Sequence, residues 1–265
     1  LLRGGPQYWV FCTYNPPKSR SNWVNEEILV DDPDRLVHRS TYLQVPPEWL
    51  GEQFLQEAGK LKERNETAYR HEYLGEVTGG AVFENVEDLP LTDEALGQFD
   101  HRLFGLDFGF AVDPLAFVAM HFDAKHEDLY IWGEIYEQKL TNPQAVARIS
   151  KIILPQELVR CNSAEPKSIK EMRSLGMNII GAAKGPDSVE YGIKWLQGLR
   201  HIYIDKRRCP NTYREFMTYE YERNRLGQYI SAYPDKDNHA IDAVRYGCSG
   251  VMPVRTTIRL ARFDY

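Results

Sequence analysis

The rhythm of apolar and polar positions changes twice along the chain. Residues 7–14 carry the nearly unbroken run Tyr8-Trp9-Val10-Phe11-Cys12, which stops at Asn15-Pro16-Pro17. This predicts a buried strand over 7–14, because proline removes a backbone donor and ends the element. From Pro46 to about Glu76 the spacing becomes helical, with Trp49, Phe54, Leu55 and Leu61 on one apolar stripe. Gly79-Gly80 and the acidic run over 84–88 then predict a boundary or linker.

Beyond His101 the pattern switches to short alternating elements. Strands are predicted over 103–110, 115–122 and 129–136, the first two separated by Asp113-Pro114. A helix over 142–154, a strand over 158–162 and a helix over 165–175 follow, with Pro166 in the first helical turn, where proline is tolerated. A strand over 178–181, a helix over 188–199 and a strand over 201–204 continue the alternation. Residues 219–222 and 228–232 bracket Asn224–Gly227 as a β-hairpin, and a last helix spans 238–248. A three-strand meander followed by strand–helix alternation predicts an α/β domain with a mixed sheet.

Composition is that of a globular protein: 43% hydrophobic and 26% charged residues. No apolar run approaches the roughly 18 residues needed to span a bilayer. Leu1-Leu2-Arg3-Gly4-Gly5 has neither an initiator methionine nor the layout of a secretion signal, so the chain reads as part of a longer polypeptide. Cys12, Cys161, Cys209 and Cys248 are scattered without metal-site spacing, which favours free thiols over disulfides or zinc. The net charge of −6 does not advertise nucleic-acid binding. Charge is uneven, however: Lys206, Arg207, Arg208 and Arg214 cluster, and Arg223 and Arg225 follow, which suits either a phosphate-binding patch or an ordinary solvated surface.

Four segments hold candidate chemistry. In Gly105-Leu106-Asp107-Phe108-Gly109, an aspartate sits inside an apolar strand, which is costly unless a cation or an ion pair compensates its charge. In Asp237-Asn238-His239-Ala240-Ile241-Asp242, Asp237 reads as the N-cap, and His239, Asp242 and Tyr246 share one stripe of an otherwise apolar helix. Asp242 therefore needs a cation, or Arg245 or Lys236 as partner. Asn162 closes the strand over 158–162, at the carboxyl end where open α/β sheets build their sites; it also suits simple capping before the next helix. Lys184-Gly185-Pro186-Asp187-Ser188 is a turn opening a helix, a place for a phosphate or a plain capped turn.

In order and spacing these segments resemble the large terminase subunit of tailed bacteriophages, in its SPP1-like and prophage group, over nearly the whole chain. Thr13-Tyr14-Asn15-Pro16-Pro17 is similar to the coupling region that ends the packaging ATPase. Ser40-Thr41-Tyr42-Leu43-Gln44 and Tyr69-Arg70-His71-Glu72-Tyr73-Leu74-Gly75-Glu76 are similar to the stretch joining ATPase to nuclease. Gly105-Leu106-Asp107-Phe108-Gly109 with Asp113-Pro114-Leu115-Ala116-Phe117 resembles the first nuclease motif. Ser163-Ala164-Glu165-Pro166-Lys167-Ser168-Ile169 and Lys184–Glu190 resemble the middle motifs, and Asp235-Lys236-Asp237-Asn238-His239 with Ile241-Asp242-Ala243 the last.

The resemblance implies an RNase H-like mixed β-sheet flanked by helices with an auxiliary β-hairpin. It divides the chain into an ATPase remnant over 1–40, a helical linker over 41–85, the nuclease domain over 86–250 and a tail over 251–265. It implies an endonuclease that cuts concatemeric double-stranded DNA during packaging through two divalent cations, Mg2+ or Mn2+, to which carboxylates are suited. Asp107 would be the central ligand, Asp242 a second, and His239 an auxiliary ligand or phosphate contact. Lys184, Lys206, Arg207, Arg208, Arg214, Arg223 and Arg225 would guide DNA. ATP would belong to the full-length protein only, since the chain has no GxxxxGK[ST] phosphate loop. The terminase small subunit and portal protein are the implied partners, without a membrane, and the bacterial host cytoplasm the implied setting.

One departure matters. Where the family pattern has aspartate before Ser-Ala-Glu-Pro, this chain has Asn162, which removes a negative charge from a site for two dications and predicts weak metal binding and reduced cleavage. Three rivals remain: a non-catalytic DNA- or portal-binding part of the motor, which Asn162 favours; another RNase H-like resolvase or transposase, which the Tyr14–Pro17 segment disfavours; and a sugar-kinase-like ATPase, which lacks its glycine-rich turns here.

Overall fold

A computed structural model describes residues 10–17, 20, 22–64, 66–77, 79–183, 185, 187–223, 229 and 232–253. The chain divides into two compact units, 1–81 and 82–265.

In the first unit, α1 (Trp23–Glu27) is capped by Asn22, whose Oδ1 accepts from Val24 N–H at 3.2 Å. The helix expected over 46–76 is instead a 3-10 turn at Pro47–Trp49 followed by two helices, α2 (Glu52–Arg64) and α3 (Glu66–Leu74). Trp49, expected on the apolar stripe, is 77% exposed. The packing is done by an aromatic cluster of Tyr42, Phe54, Tyr69 and Tyr73, with the hydroxyls of Tyr42 and Tyr69 2.8 Å apart. The strand expected over 7–14 is not found where it is described: residues 10–14 are irregular and exposed, while 7–9 lie outside the described residues. A strand needs a neighbour to take its backbone hydrogen bonds, and among the described residues the first unit offers none.

The second unit is built on β1 (Val86–Asp88), α4 (Asp93–Gly97), β2 (Arg102–Asp107), β3 (Leu115–Asp123), β4 (Asp128–Glu137) and α5 (Asn142–Ile149). It continues with β5 (Val159–Cys161), α6 (Pro166–Ser174), β6 (Ile179–Gly181), α7 (Ser188–Gln197), β7 (His201–Ile204), α8 (Pro210–Thr218) and α9 (His239–Cys248). The strands form one seven-stranded sheet in the order β1-β7-β4-β3-β2-β5-β6. β3 runs antiparallel to both its neighbours and every other pairing is parallel, so all strands but β3 point their carboxyl ends the same way.

Two apolar layers cover the sheet, as a mixed sheet flanked by helices requires. On one face Leu103, Val118, Met120, Ile131 and Ile202 pack with Ile193, Phe216, Ile241 and Val244 of α7, α8 and α9. On the other Phe104, Leu106 and Phe117 pack with Ile149 and Met172 of α5 and α6. The two-residue period of β2 therefore sends Leu103, Gly105 and Asp107 toward α9. Gly105 is what lets the helix come so close: a Cβ there would lie 1.7 Å from the Ala243 carbonyl oxygen.

Three sequence expectations change. The acidic run over 84–88 contains an edge strand, β1, whose Glu87 and Asp88 stay exposed, as an edge tolerates. α8 was not expected at all. Of the expected hairpin, an antiparallel bridge joins Arg223 to Tyr229, and most of the rest, Arg225 included, lies outside the described residues.

Candidate functional site

Parallel pairing of β2 with β5 sets Leu106 opposite Cys161, so the next residues, Asp107 and Asn162, leave the sheet side by side at its carboxyl edge. The Asn162 N–H donates to the Leu106 carbonyl at 3.2 Å. Cys161 belongs to the layer under α5 and α6, so alternation turns Asn162 toward the α9 face, as it does Asp107. α9 brings His239 and Asp242 to the same place. The four positions singled out in the sequence therefore meet at one end of one face.

Their contacts are specific. His239 lies between two carboxylates, with Nδ1 3.4 Å from Asp107 Oδ2 and Nε2 3.5 Å from Asp113 Oδ1. The hydrogen bond to Asp107 raises the imidazole above its ordinary pKa against the opposing effect of burial, and the charges of Glu215, Asp107 and Asp113 add to the rise. Asp242 Oδ1 accepts from Arg245 Nε at 3.1 Å and from its terminal nitrogen at 2.9 Å. Burial pushes the Asp242 carboxyl up; Arg245 pulls it down, while the charges of Asp107 and Asp235 push it up further. Asp107 and Asp242 are thus two largely buried acids, the first paired with His239 and the second with Arg245. Asn162 Oδ1 accepts from Ala164 N–H at 3.0 Å, which closes the turn before α6.

Among the described residues no three His, Cys, Asp or Glu side chains converge closely enough to hold a metal by themselves. The donor chemistry nonetheless fits a hard cation, since two carboxylates, Asp107 and Asp242, lie in a partly buried place and the charge of Asp107 adds to the burial that pushes the Asp242 carboxyl up. The third position contributes an amide rather than a charge.

Two residues were missed by sequence reading. Asp113 lies inside a quoted motif, but only the fold turns its loop back onto His239. Glu215, on the unexpected α8, replaces the cap expected from Asp237. Asp237 has φ 51° and Asn238 takes the N-cap place without a side-chain capping bond. Glu215 Oε2 instead accepts from the Ala240 and Ile241 N–H groups at 2.7 and 3.2 Å, and the Tyr136 hydroxyl donates to Oε1 at 2.7 Å.

The basic cluster is partly spoken for. Arg207 and Arg208 in the turn after β7 pair with the buried Asp205, and Arg208 also with Asp93 at 2.6 Å. Arg223 pairs with Glu220 at 3.6 Å and lies over Tyr229. Arg214 is exposed on α8. β7 and β2 point their carboxyl ends the same way, so the 205–208 turn lies at the same edge of the sheet as Asp107. Lys184 lies outside the described residues.

A mixed sheet with acidic groups at its carboxyl edge, closed by a C-terminal helix, places the second unit among RNase H-like domains. Residues 107–249 match the terminase RNase H-like domain and residues 2–76 the phage terminase large subunit, and the chain belongs to this terminase family. The terminase large subunit of Bacillus phage SPP1 is 42% identical, over 92% of this chain and 60% of the relative. The PBSX phage terminase large subunit of Bacillus subtilis is 28% identical, over 89% of this chain and 60% of its own length. The chain thus spans about 60% of the curated relatives it matches. The crystal structure of the SPP1 large-terminase nuclease domain with bound manganese superposes with a TM-score of 0.61 at 38% identity, covering 64% of this chain and 98% of that one.

Proposed function

We propose that the second unit is the DNA endonuclease of a phage packaging motor, weakened in this chain by Asn162. The observation that carries this reading is that Asp107, in contact with His239, stands beside Asn162 at the carboxyl edge of the sheet, while Asp242 on the same helix as His239 lies near enough for the Asp107 charge to add to the burial that pushes its carboxyl up. The manganese bound in the SPP1 nuclease domain supports it. Asp107 and Asp242 would hold divalent cations, Mg2+ or Mn2+, which when bound activate water and neutralise charge at the scissile phosphate. Arg245 fixes Asp242 through Oδ1 and leaves Oδ2 for the site. His239 keeps Asp107 oriented through Nδ1, and its Nε2, held only by the longer contact to the exposed Asp113, would turn to a phosphate oxygen. Lys206, Arg214 and Arg223 would face the backbone of double-stranded DNA. In the longer protein the ATPase, the terminase small subunit and the portal would complete the motor in the host cytoplasm.

The decisive experiment is Asn162→Asp assayed for Mn2+-dependent plasmid nicking. The variant is expected to cut at least tenfold faster and to bind Mn2+ more tightly, since it regains a carboxylate beside Asp107; equal rates in the two forms would refute the assignment. A second reading, a non-catalytic DNA- or portal-binding domain, is favoured by Asn162 itself and by the turn bond its Oδ1 makes to Ala164. It expects DNA binding without nicking in both forms.

A further inference from the structure

The start of α9 carries both His239 and Asp242, yet the side chain at its own N-cap position, Asn238, makes no capping bond to the helix. The bonds come from elsewhere. Glu215 is 1% exposed and sits on α8, and its carboxylate takes the two amides that follow His239 and the hydroxyl of Tyr136 on β4. Burying a carboxylate is costly unless hydrogen bonds compensate, whereas a serine or aspartate at the N-cap would close the helix at the surface without that cost. A local cap fixes only the helix end. The remote one also fixes where that end lies relative to the sheet, because Tyr136 joins it to β4, and β4 holds α8 by a second point. Glu134 on the same strand accepts from the N–H groups of Asn211 and Thr212 at 3.0 and 2.8 Å.

The geometry points to Glu215 as a positioning residue of the site: it sets the depth of the first turn of α9, so that His239 reaches Asp107 and Asp242 faces the same point. This rests on the cation-site reading for its consequence, but the placement of His239 can be observed without any metal.

The test uses the whole chain carrying Asn162→Asp as parent, with Glu215→Gln and Tyr136→Phe added singly. Asp205→Asn serves as a control, since Asp205 is an equally buried carboxylate that caps the turn after β7 through Leu91, Arg207 and Arg208. Glu215→Gln is expected to remain folded, to exchange the Ala240 and Ile241 amides faster, to shift the His239 imidazole signals in metal-free protein, and to weaken Mn2+ binding roughly tenfold or more. Tyr136→Phe should move the same readouts in the same direction by less. Asp205→Asn should lose comparable thermal stability with His239 and Mn2+ binding unmoved. If Glu215→Gln loses stability like the control but leaves the His239 signals in place, the proposal is overturned. Should the parent itself bind no Mn2+, the cation reading fails, and the His239 signals still decide the role of Glu215.

Discussion

Gly105 shows how much of the site depends on a missing side chain. The 1.7 Å between a notional Cβ and the Ala243 carbonyl is backbone against backbone, so neither partner can turn aside. Gly105→Ala should push α9 off β2 and cost about 3 kcal/mol, near the upper end for overpacking, and separate His239 from Asp107. At Gly250 a Cβ would meet only the end of the Arg160 side chain, so Gly250→Ala should cost less than about 1 kcal/mol, and urea denaturation of both variants checks the contrast. His121 offers a pH test. It is buried, stacked on Phe99 at 4.4 Å, and its Nδ1 accepts from His101 N–H at 3.3 Å. Burial lowers its pKa, with Asp100 opposing. The folded state therefore resists the proton that the unfolded chain accepts near about pH 6.5. Stability from this group is full above that value and is lost as pH falls toward the depressed folded value, at no more than about 1.4 kcal/mol per pH unit. Wild type should lose more stability than His121→Phe between pH 7.5 and pH 5.5. Residues of this kind differ in how openly the sequence displays them. Asp107 and Asp242 stand out because a charge interrupts an apolar strand or helix. Glu215 does not, because nothing local separates a buried carboxylate from an exposed one until its remote partners are known.

At the scale of elements the same distinction recurs. β2 to β7 were legible because apolar runs bounded by Asp-Pro, charged turns or glycine mark strands; β2 and β3 are buried along nearly their whole length, while β5 and β7 alternate buried and half-buried positions. β1 was not, since an edge strand of three residues with two exposed acids has the composition of a loop. α8 begins with Pro210 in its first turn, a start signal in principle, but two of the three positions it buries, Thr212 and Glu215, are polar, so its inward face reads as surface. The apolar run over 7–14 misled for the opposite reason: it has strand composition, and among the described residues of its unit no strand lies beside it. α8 is fixed from outside, so an element-level prediction follows. Glu134 receives the backbone N–H and side-chain amide of Asn211 and the backbone N–H and hydroxyl of Thr212, all within 3.0 Å. Glu134→Ala leaves four donors without that acceptor and should cost about 2 kcal/mol, read as a lowered thermal midpoint with faster amide exchange at the start of α8.

For the molecule as a whole, the question is where the RNase H-like unit begins. Sequence reading put its edge at 86, after the glycine pair and within the acidic run. The compact unit starts instead at Val82, and both apolar layers of the sheet draw every buried member from residues 82–248. Val82 and Phe83 are 2% and 1% exposed, and the Phe83 ring lies 4.7 Å from Phe216 and 6.2 Å from Tyr219. Those contacts tie the chain before β1 to α8, the helix that carries Glu215. A fragment starting at Val82 should therefore fold alone, unfold in a single transition, and match the urea midpoint of the same unit in the whole chain. A fragment starting at Val86 removes a buried phenylalanine and a buried valine at once and should lose about 4 kcal/mol or more. Because the lost contacts lie against α8, the shorter fragment should also exchange the Ala240 and Ile241 amides faster than the longer one. Equal stability of the two fragments would mean that Phe83 only covers the core and that the boundary at 86 is the functional one.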